Sequence, residues 1–198
     1  LDIMEMHKPD EERLKAFWNS FQQVYLNLYG SPLATIAAIQ GHAPAAGCML
    51  ALCCDYRIMA ADEEGQKPCT IGLNETKLGI VAPALLGQQF IDTVGQRHAE
   101  LGLSLGILYS PNEALAIGLV DELSPKDQVL IRAEEEATKW GAIPSKARIG
   151  SKMLCRKARI DHLIATRQAD TDFFCDFVLD DKVQKTIDLY LQLSLIHI

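Results

Sequence analysis

The spacing of apolar positions changes twice in the first sixty residues, and each change marks a change of element. From Asp10 onward Leu14, Phe17, Trp18, Phe21, Val24, Tyr25 and Leu28 recur three and four apart, with acids in the first turn and Gly30 at the end. That period predicts an amphipathic helix whose apolar stripe must bury against another element. Residues 1 to 9, LDIMEMHKP, have no period and read as a loop. Ala34 to Ile39 is an apolar run without helical spacing. It breaks at Gln40-Gly41, passes His42 to Ala45 and enters a small-residue turn, Ala46-Gly47, which opens an apolar segment ending at Cys54. This reads as strand, turn and buried helix. Tyr56 to Ala60 and Cys69 to Leu73 read as strands on either side of an Asp/Glu/Gly/Pro loop, and the second delivers Asn74-Glu75 at its end.

Downstream the pattern turns helical. The stretch after Leu78 reads as helix broken at Pro83, Gly95 and Gly106. Ser110-Pro111-Asn112-Glu113 is a capping box with proline at the first helical position, and its helix runs to Gly118. Leu119 to Leu123 reads as a short strand. Ser124-Pro125 starts a helix to about Gly141, and from Pro144 the pattern is helical with breaks expected near Asp161 and Asp180. The expected class is α/β, with a mixed core over residues 1–123 and an all-α region over 124–198.

Composition narrows the partners. A chain of 198 residues can bury one real core. Its net charge of −7 gives no support to nucleic-acid binding, which needs clustered Lys and Arg. Six cysteines form no C-x-x-C pair and have no His at finger spacing, which argues against a zinc site or a disulfide framework and for a reducing compartment. Gln40, Gly41, His42 and Pro44 interrupt the longest apolar candidate, so no membrane span is expected. The chain opens without an initiator methionine, leaving room for an N-terminal address in a longer parent. The apolar end SLIHI reads as foreign to the natural chain.

Two features carry chemistry. Free amides at the helix start near Ala46 can stabilise a developing negative charge, and Glu75, lying between apolar runs, can move a proton. Taken singly, Ala46 reads equally as a small residue for close packing, Glu75 as a solvated glutamate at a strand end, and Asn74 as a turn residue. His42 and Cys53-Cys54 read as structural.

The run GHAPAAGCMLALCCD, Gly41 to Asp55, resembles the G-x-[AC]-x-G-G-G-[CA]-x-x-[AL]-x-x-[CA]-D signature of the crotonase (enoyl-CoA hydratase/isomerase) superfamily. IGLNETKLGIVAP and then EALAIGLVDE extend the likeness in the family's order. Asn74-Glu75, the opening LDIMEM and the segment CDYRIMA look most like the mitochondrial enoyl-CoA delta isomerases within it. The resemblance implies a spiral of ββα units, here N-terminally truncated, followed by a helical region that trimerises. It also implies a fatty acyl-CoA substrate whose 3-double bond moves to position 2 in β-oxidation, the mitochondrial matrix as location, a homotrimer, and no metal or redox cofactor, since CoA arrives with the substrate.

Residue by residue, the resemblance gives Glu75 the role of catalytic acid and base, and the Ala46 backbone N–H half of an oxyanion hole. Asn74 then lines the acyl-CoA site, and Leu1, Asp2 and Ile3 end the loop that runs along the CoA thioester and adenine. The loop's preceding Ala-Gly, which carries the family's other oxyanion N–H, would lie before Leu1 together with further strands. Met49 aligns with a glutamate that hydratases use to activate water, and a thioether cannot do that work. Lys182 and Lys185 match basic positions near CoA phosphates, or else form an ordinary solvated face. Two alternatives stand beside the isomerase: an inactive remnant that assembles with crotonase-like partners, and a hydratase.

Overall fold

The first helix, α1 (Glu11–Tyr29), is capped as its sequence predicts: the Asp10 carboxylate accepts from Arg13 N at 2.9 Å, and Gly30 N–H closes the end onto Leu26 O and Leu28 O. Its stripe of Leu14, Trp18, Phe21 and Tyr25 is buried. The computed structural model describes residues 2–195. Leu1 and residues 196–198, with the sequence readings placed on them, lie outside the described residues.

After α1 the chain forms β1 (Ile36–Ile39), β2 (Ala43–Pro44) and α2 (Ala46–Cys53), and then β3 (Tyr56–Ala60) and β4 (Ile71–Gly72). A second round of helices follows, α3 (Ala84–Val94), α4 (Gln96–Leu105) and α5 (Pro111–Ala116), before β5 (Glu122–Ser124). Strands β1, β3 and β5 make one parallel sheet, with Ile36 opposite Tyr56 and Ile58 opposite Glu122, whereas β2 and β4 pair parallel in a second. The first two turns of the chain thus add a strand to each sheet, and the third adds β5 to the first. This is the ββα spiral that the resemblance implies, and the crotonase fold expected from sequence is borne out.

Two elements sit differently from expectation. The strand expected over Leu119 to Leu123 is Glu122–Ser124, because the amides of Leu119 and Val120 are used on Ala114 O to close α5. Ser124 still belongs to the sheet, its carbonyl accepting from Ala61 N at 2.8 Å, so the helix expected from Ser124-Pro125 begins after a turn, as α6 (Val129–Gly141). Val129 and Ala133 of α6 pack on Ile58 and Ala60 of β3. The break expected near Asp161 is also absent: α7 (Ser145–Val178) is continuous for 34 residues. No Gly or Pro lies between 151 and 178, and Asp161 is bound by Lys157 one turn earlier at 2.6 Å, an i,i+4 pair that supports a helix. The break near Asp180 is real and precedes α8 (Asp181–Leu195).

The core surrounds most of α2: Cys48, Met49, Leu52 and Cys53 are sealed from solvent, and Leu50 is its exposed position. A short helix that is apolar all round has no stable exposed face, so it is placed by burial. At its C-terminal end Asp55 accepts from Lys152 Nζ (2.9 Å), Thr35 N (2.9 Å) and Thr35 Oγ1 on Oδ2, while Arg156 Nη2 meets Oδ1 at 2.9 Å. Arg156 also donates to the carbonyls of Tyr29, Cys53 and Cys54 and lies 4.5 Å over the Tyr29 ring. Cationic donors are favoured at a helix C-terminus, where carbonyls are unpaired. Thus α7 locks α2 in place. Along the same helix Trp18 of α1 stacks on Phe174 at 3.8 Å and donates to Asp170 Oδ2 at 2.8 Å.

At the other end of α2, Ala45 has φ +50° and ψ −116°, a backbone region that favours glycine. Its amide donates to Gly72 O at 2.8 Å and its carbonyl accepts from Met49 N, which holds it there.

Two stability outcomes follow from the two ends of α2. Asp55→Ala leaves Lys152 and Arg156 buried without their anion and lowers unfolding free energy by about 3–5 kcal/mol, read as a fall in urea midpoint. Ala45→Gly relieves the positive-φ strain and raises stability by about 1 kcal/mol in the same measurement.

Candidate active site

Glu75 reaches its position because β4 ends abruptly. Gly72 lies so close to Ile107 that a Cβ there would stand 2.4 Å from the Ile107 carbonyl oxygen, so only glycine fits. The chain then turns through Asn74 into a 3-10 turn, Glu75–Leu78, closed by Ile80 N on Glu75 O at 3.1 Å and by Gly79 in the left-handed region. The β2–β4 pairing beside it is extended by His42, whose Nδ1 accepts from Thr70 N at 3.1 Å, in keeping with a structural His42. The N-terminus of α2 and the end of β4 are therefore neighbours.

Both face one cavity of about 400 Å³. One end of it holds the candidate reacting groups and is lined by Pro44, Ala45, Ala46, Asn74 and Glu75. The rest is apolar, made by Ile3 and Met6 from the N-terminal 3-10 turn, Ile80, Pro83, Leu86 of α3, Phe174 of α7 and Tyr190 of α8. Ala46 is the first residue of α2, so its N–H has no carbonyl within the helix to bond.

Glu75 is 9% exposed, and its Oε2 is buried with no hydrogen-bond partner among the described residues. Burial pushes its carboxyl above the usual range, and a hydrogen bond from its own backbone partly offsets this. The neighbouring Cys48 thiol is pushed up as well, by burial first and then by the Glu75 carboxylate. A carboxyl raised in this way binds a proton more readily than a solvated one and has a free oxygen to offer.

Four of the six residues singled out from sequence, Ile3, Ala46, Asn74 and Glu75, line this one cavity. Asp2 does not line it. It is exposed, and its carboxylate caps the N-terminal turn by accepting from Met4 N at 2.9 Å. Leu1 is outside the described residues. Met49 is fully buried in α2, its Sδ accepting from Cys53 Sγ at 3.4 Å, and it does not reach the cavity wall. Lys182 and Lys185 are exposed on α8. Sequence reasoning missed Met6, Leu86, Phe174 and Tyr190. Helical spacing marked Phe174 and Tyr190 only as apolar positions on long helices, with no sign of what they face. Among the described residues no cluster of three His, Cys, Asp or Glu could hold a metal, and no helix is long and apolar enough to cross a membrane.

Comparison with known proteins gives this geometry a setting. Residues 1–193 match the enoyl-CoA hydratase/isomerase family. Over 192 residues the chain is 45% identical to the mitochondrial enoyl-CoA delta isomerase 1 of Mus musculus, covering 97% of this chain and 65% of that protein. With the Homo sapiens protein of that name the identity is 42% over 97% of this chain and 62% of the relative. The chain thus spans slightly less than two thirds of the length of either relative. The crystal structure of human mitochondrial delta3-delta2-enoyl-CoA isomerase matches with a TM-score of 0.95 at 40% identity, covering 100% of this chain and 75% of that one. Since the match runs through both the helix start that presents Ala46 and the turn that carries Glu75, the chain belongs to the enoyl-CoA hydratase/isomerase family.

Proposed function

We propose that this site moves the double bond of a cis- or trans-3-enoyl-CoA to the trans-2 position. The observation that carries the proposal is the buried Glu75 carboxylate, whose Oε2 has no partner among the described residues, sharing a cavity with the first amide of α2. The ionised Glu75 takes the proton from C2. The C2–H electron pair then forms a double bond between C1 and C2, and the thioester oxygen becomes an enolate. The Ala46 N–H, aided by the positive end of α2, stabilises that oxygen. The protonated Glu75 next gives its proton to C4. The C3–C4 double bond supplies the electrons for this new bond, the C1–C2 pair shifts to C2–C3, and the carbonyl is restored. One residue carries the proton throughout, so no cofactor is needed, and CoA belongs to the substrate.

The placement of Met49 supports isomerase over hydratase. Hydration needs a second polar group to hold water against the double bond, and position 49 offers a fully buried thioether that is not among the residues lining the cavity. Names of the relatives support the mitochondrion as location, which we extend to the matrix, with unsaturated fatty acyl-CoA of β-oxidation as substrate and a homotrimer as assembly.

Turnover of 3-enoyl-CoA, followed as formation of the conjugated 2-enoyl thioester, is expected to fall by about two to four powers of ten in Glu75→Gln. Equal rates in the two proteins would sink the role of Glu75. An oligomer that binds no CoA thioester by calorimetry would favour the inactive assembly partner, and water addition to 2-enoyl-CoA would favour the hydratase.

Stability and activity should respond to pH in opposite senses. A carboxyl raised in the folded state keeps a proton that the unfolded chain has released, so stability falls as pH rises from the ordinary carboxylate range through the raised value. Proton abstraction needs the ionised form, so the rate rises through the same window. Glu75→Gln should therefore melt higher than the native protein at neutral pH, with the difference closing in acid.

A further inference from the structure

The apolar end of the cavity has a wall that the reaction itself does not use. Tyr190 comes from α8, near the end of the described chain, and stands opposite the N-terminal turn that supplies Ile3 and Met6. The other large apolar walls, Phe174 and Leu86, are 5% and 1% exposed, and Phe174 is backed by its stack on Trp18. Tyr190 is 44% exposed. Among the described residues that line the cavity, Tyr190 is the ring that is exposed to solvent.

The ring is also held in register. Gln184 Nε2 donates to Met6 O at 2.8 Å, Gln184 Oε1 accepts from Lys8 N at 2.7 Å, and Asp188 Oδ1 meets His7 Nε2 at 2.5 Å and Lys8 Nζ at 3.2 Å. These contacts fasten α8 to the segment that forms the facing wall. Gln184 and Asp188 are one helical turn apart on α8, and Tyr190 lies two residues beyond Asp188 on the same fastened helix. An exposed aromatic ring fastened at the mouth of an apolar cavity sets how much hydrocarbon fits behind it.

We propose that Tyr190 is a specificity-determining residue that limits the length of the acyl chain, with Gln184 as a positioning residue for it. The inference rests on the acyl-CoA reading above. A tail that ends short of Tyr190 buries each added methylene against Leu86, Phe174 and Ile3. A tail that reaches the ring must either displace it or run past it into water, where further methylenes contribute little.

The test is a calorimetric binding series with hexanoyl-, octanoyl-, decanoyl-, dodecanoyl- and hexadecanoyl-CoA on the native chain, Tyr190→Ala, Tyr190→Phe and Gln184→Ala. For the native chain affinity is expected to rise by about fourfold per methylene and then level off at one chain length. In Tyr190→Ala the rise should continue for at least two further methylenes, a gain of roughly fifteenfold for the longer ligands. Tyr190→Phe keeps the ring and should keep the native levelling point. Gln184→Ala keeps the ring but loosens its support and should shift that point toward longer chains. The same levelling point in Tyr190→Ala and native protein overturns the proposal, and if Tyr190→Ala fails to fold, an unshifted point in Gln184→Ala overturns it as well.

The two readings fail separately. Turnover that depends on Glu75, together with a length profile indifferent to residues 190 and 184, removes this inference and leaves the isomerase. A length profile that shifts in a protein without turnover leaves this inference and removes the isomerase. Absence of acyl-CoA binding by the native chain removes both.

Discussion

The charge knot at Asp55 is the contact on which the site's geometry depends. A carboxylate with 3% side-chain exposure and an ammonium with 5% are costly to desolvate, and they persist because every oxygen is occupied: Lys152 and Thr35 on one, Arg156 on the other. Arg156 then spends its remaining donors on carbonyls at the ends of α1 and α2. Three elements distant in sequence are fixed to one point. Because α2 has only eight residues, fixing its C-terminal end and burying its sides leaves little freedom for its N-terminal end, where Ala46 presents its amide.

The opposite end of α2 is held by a different device, backbone strain. Ala45 adopts a conformation that glycine takes freely, and it stays there because its amide and carbonyl are both bonded. The resemblance to the family signature aligns this position with a glycine. The structure therefore keeps the family's backbone path with an added methyl, and both Ala45 and Ala46 line the cavity where the thioester is proposed to lie.

Glu75 has the setting that the proposed double role of base and acid requires. Burial without a cationic partner raises its pKa, whereas a salt bridge such as those of Asp55 would hold the carboxylate ionised and commit both oxygens. The fold supplies ion pairs at Asp55, where rigidity is needed, and leaves Glu75 Oε2 without a partner among the described residues, where proton transfer is proposed. The division is spatial: Lys and Arg of α7 converge on the C-terminal end of α2, and the N-terminal end meets apolar walls.

Local chemistry was legible in the sequence wherever neighbours in the chain decide the outcome. The caps at Asp10 and Ser110, the glycine and proline breaks at 83, 95 and 106, and the strand, turn and buried helix around Ala46 all follow from contacts within a few residues. The signature from Gly41 to Asp55 and the pair Asn74-Glu75 likewise pointed to the family and to the reacting end of the cavity. Distant contacts escaped: Ser124 reads as a helix start until its carbonyl is seen in the sheet, whereas the break read at Asp161 overlooks a local i,i+4 pair and the absence of helix breakers. What the tertiary structure alone decided is that residues 3, 6, 86, 174 and 190 share one apolar wall, because burial is non-directional and an apolar residue on a helix does not specify which surface it will meet. The sequence determined the chemical groups at Glu75 and Ala46, and the packing of α8 against the N-terminal turn determined the space that they share.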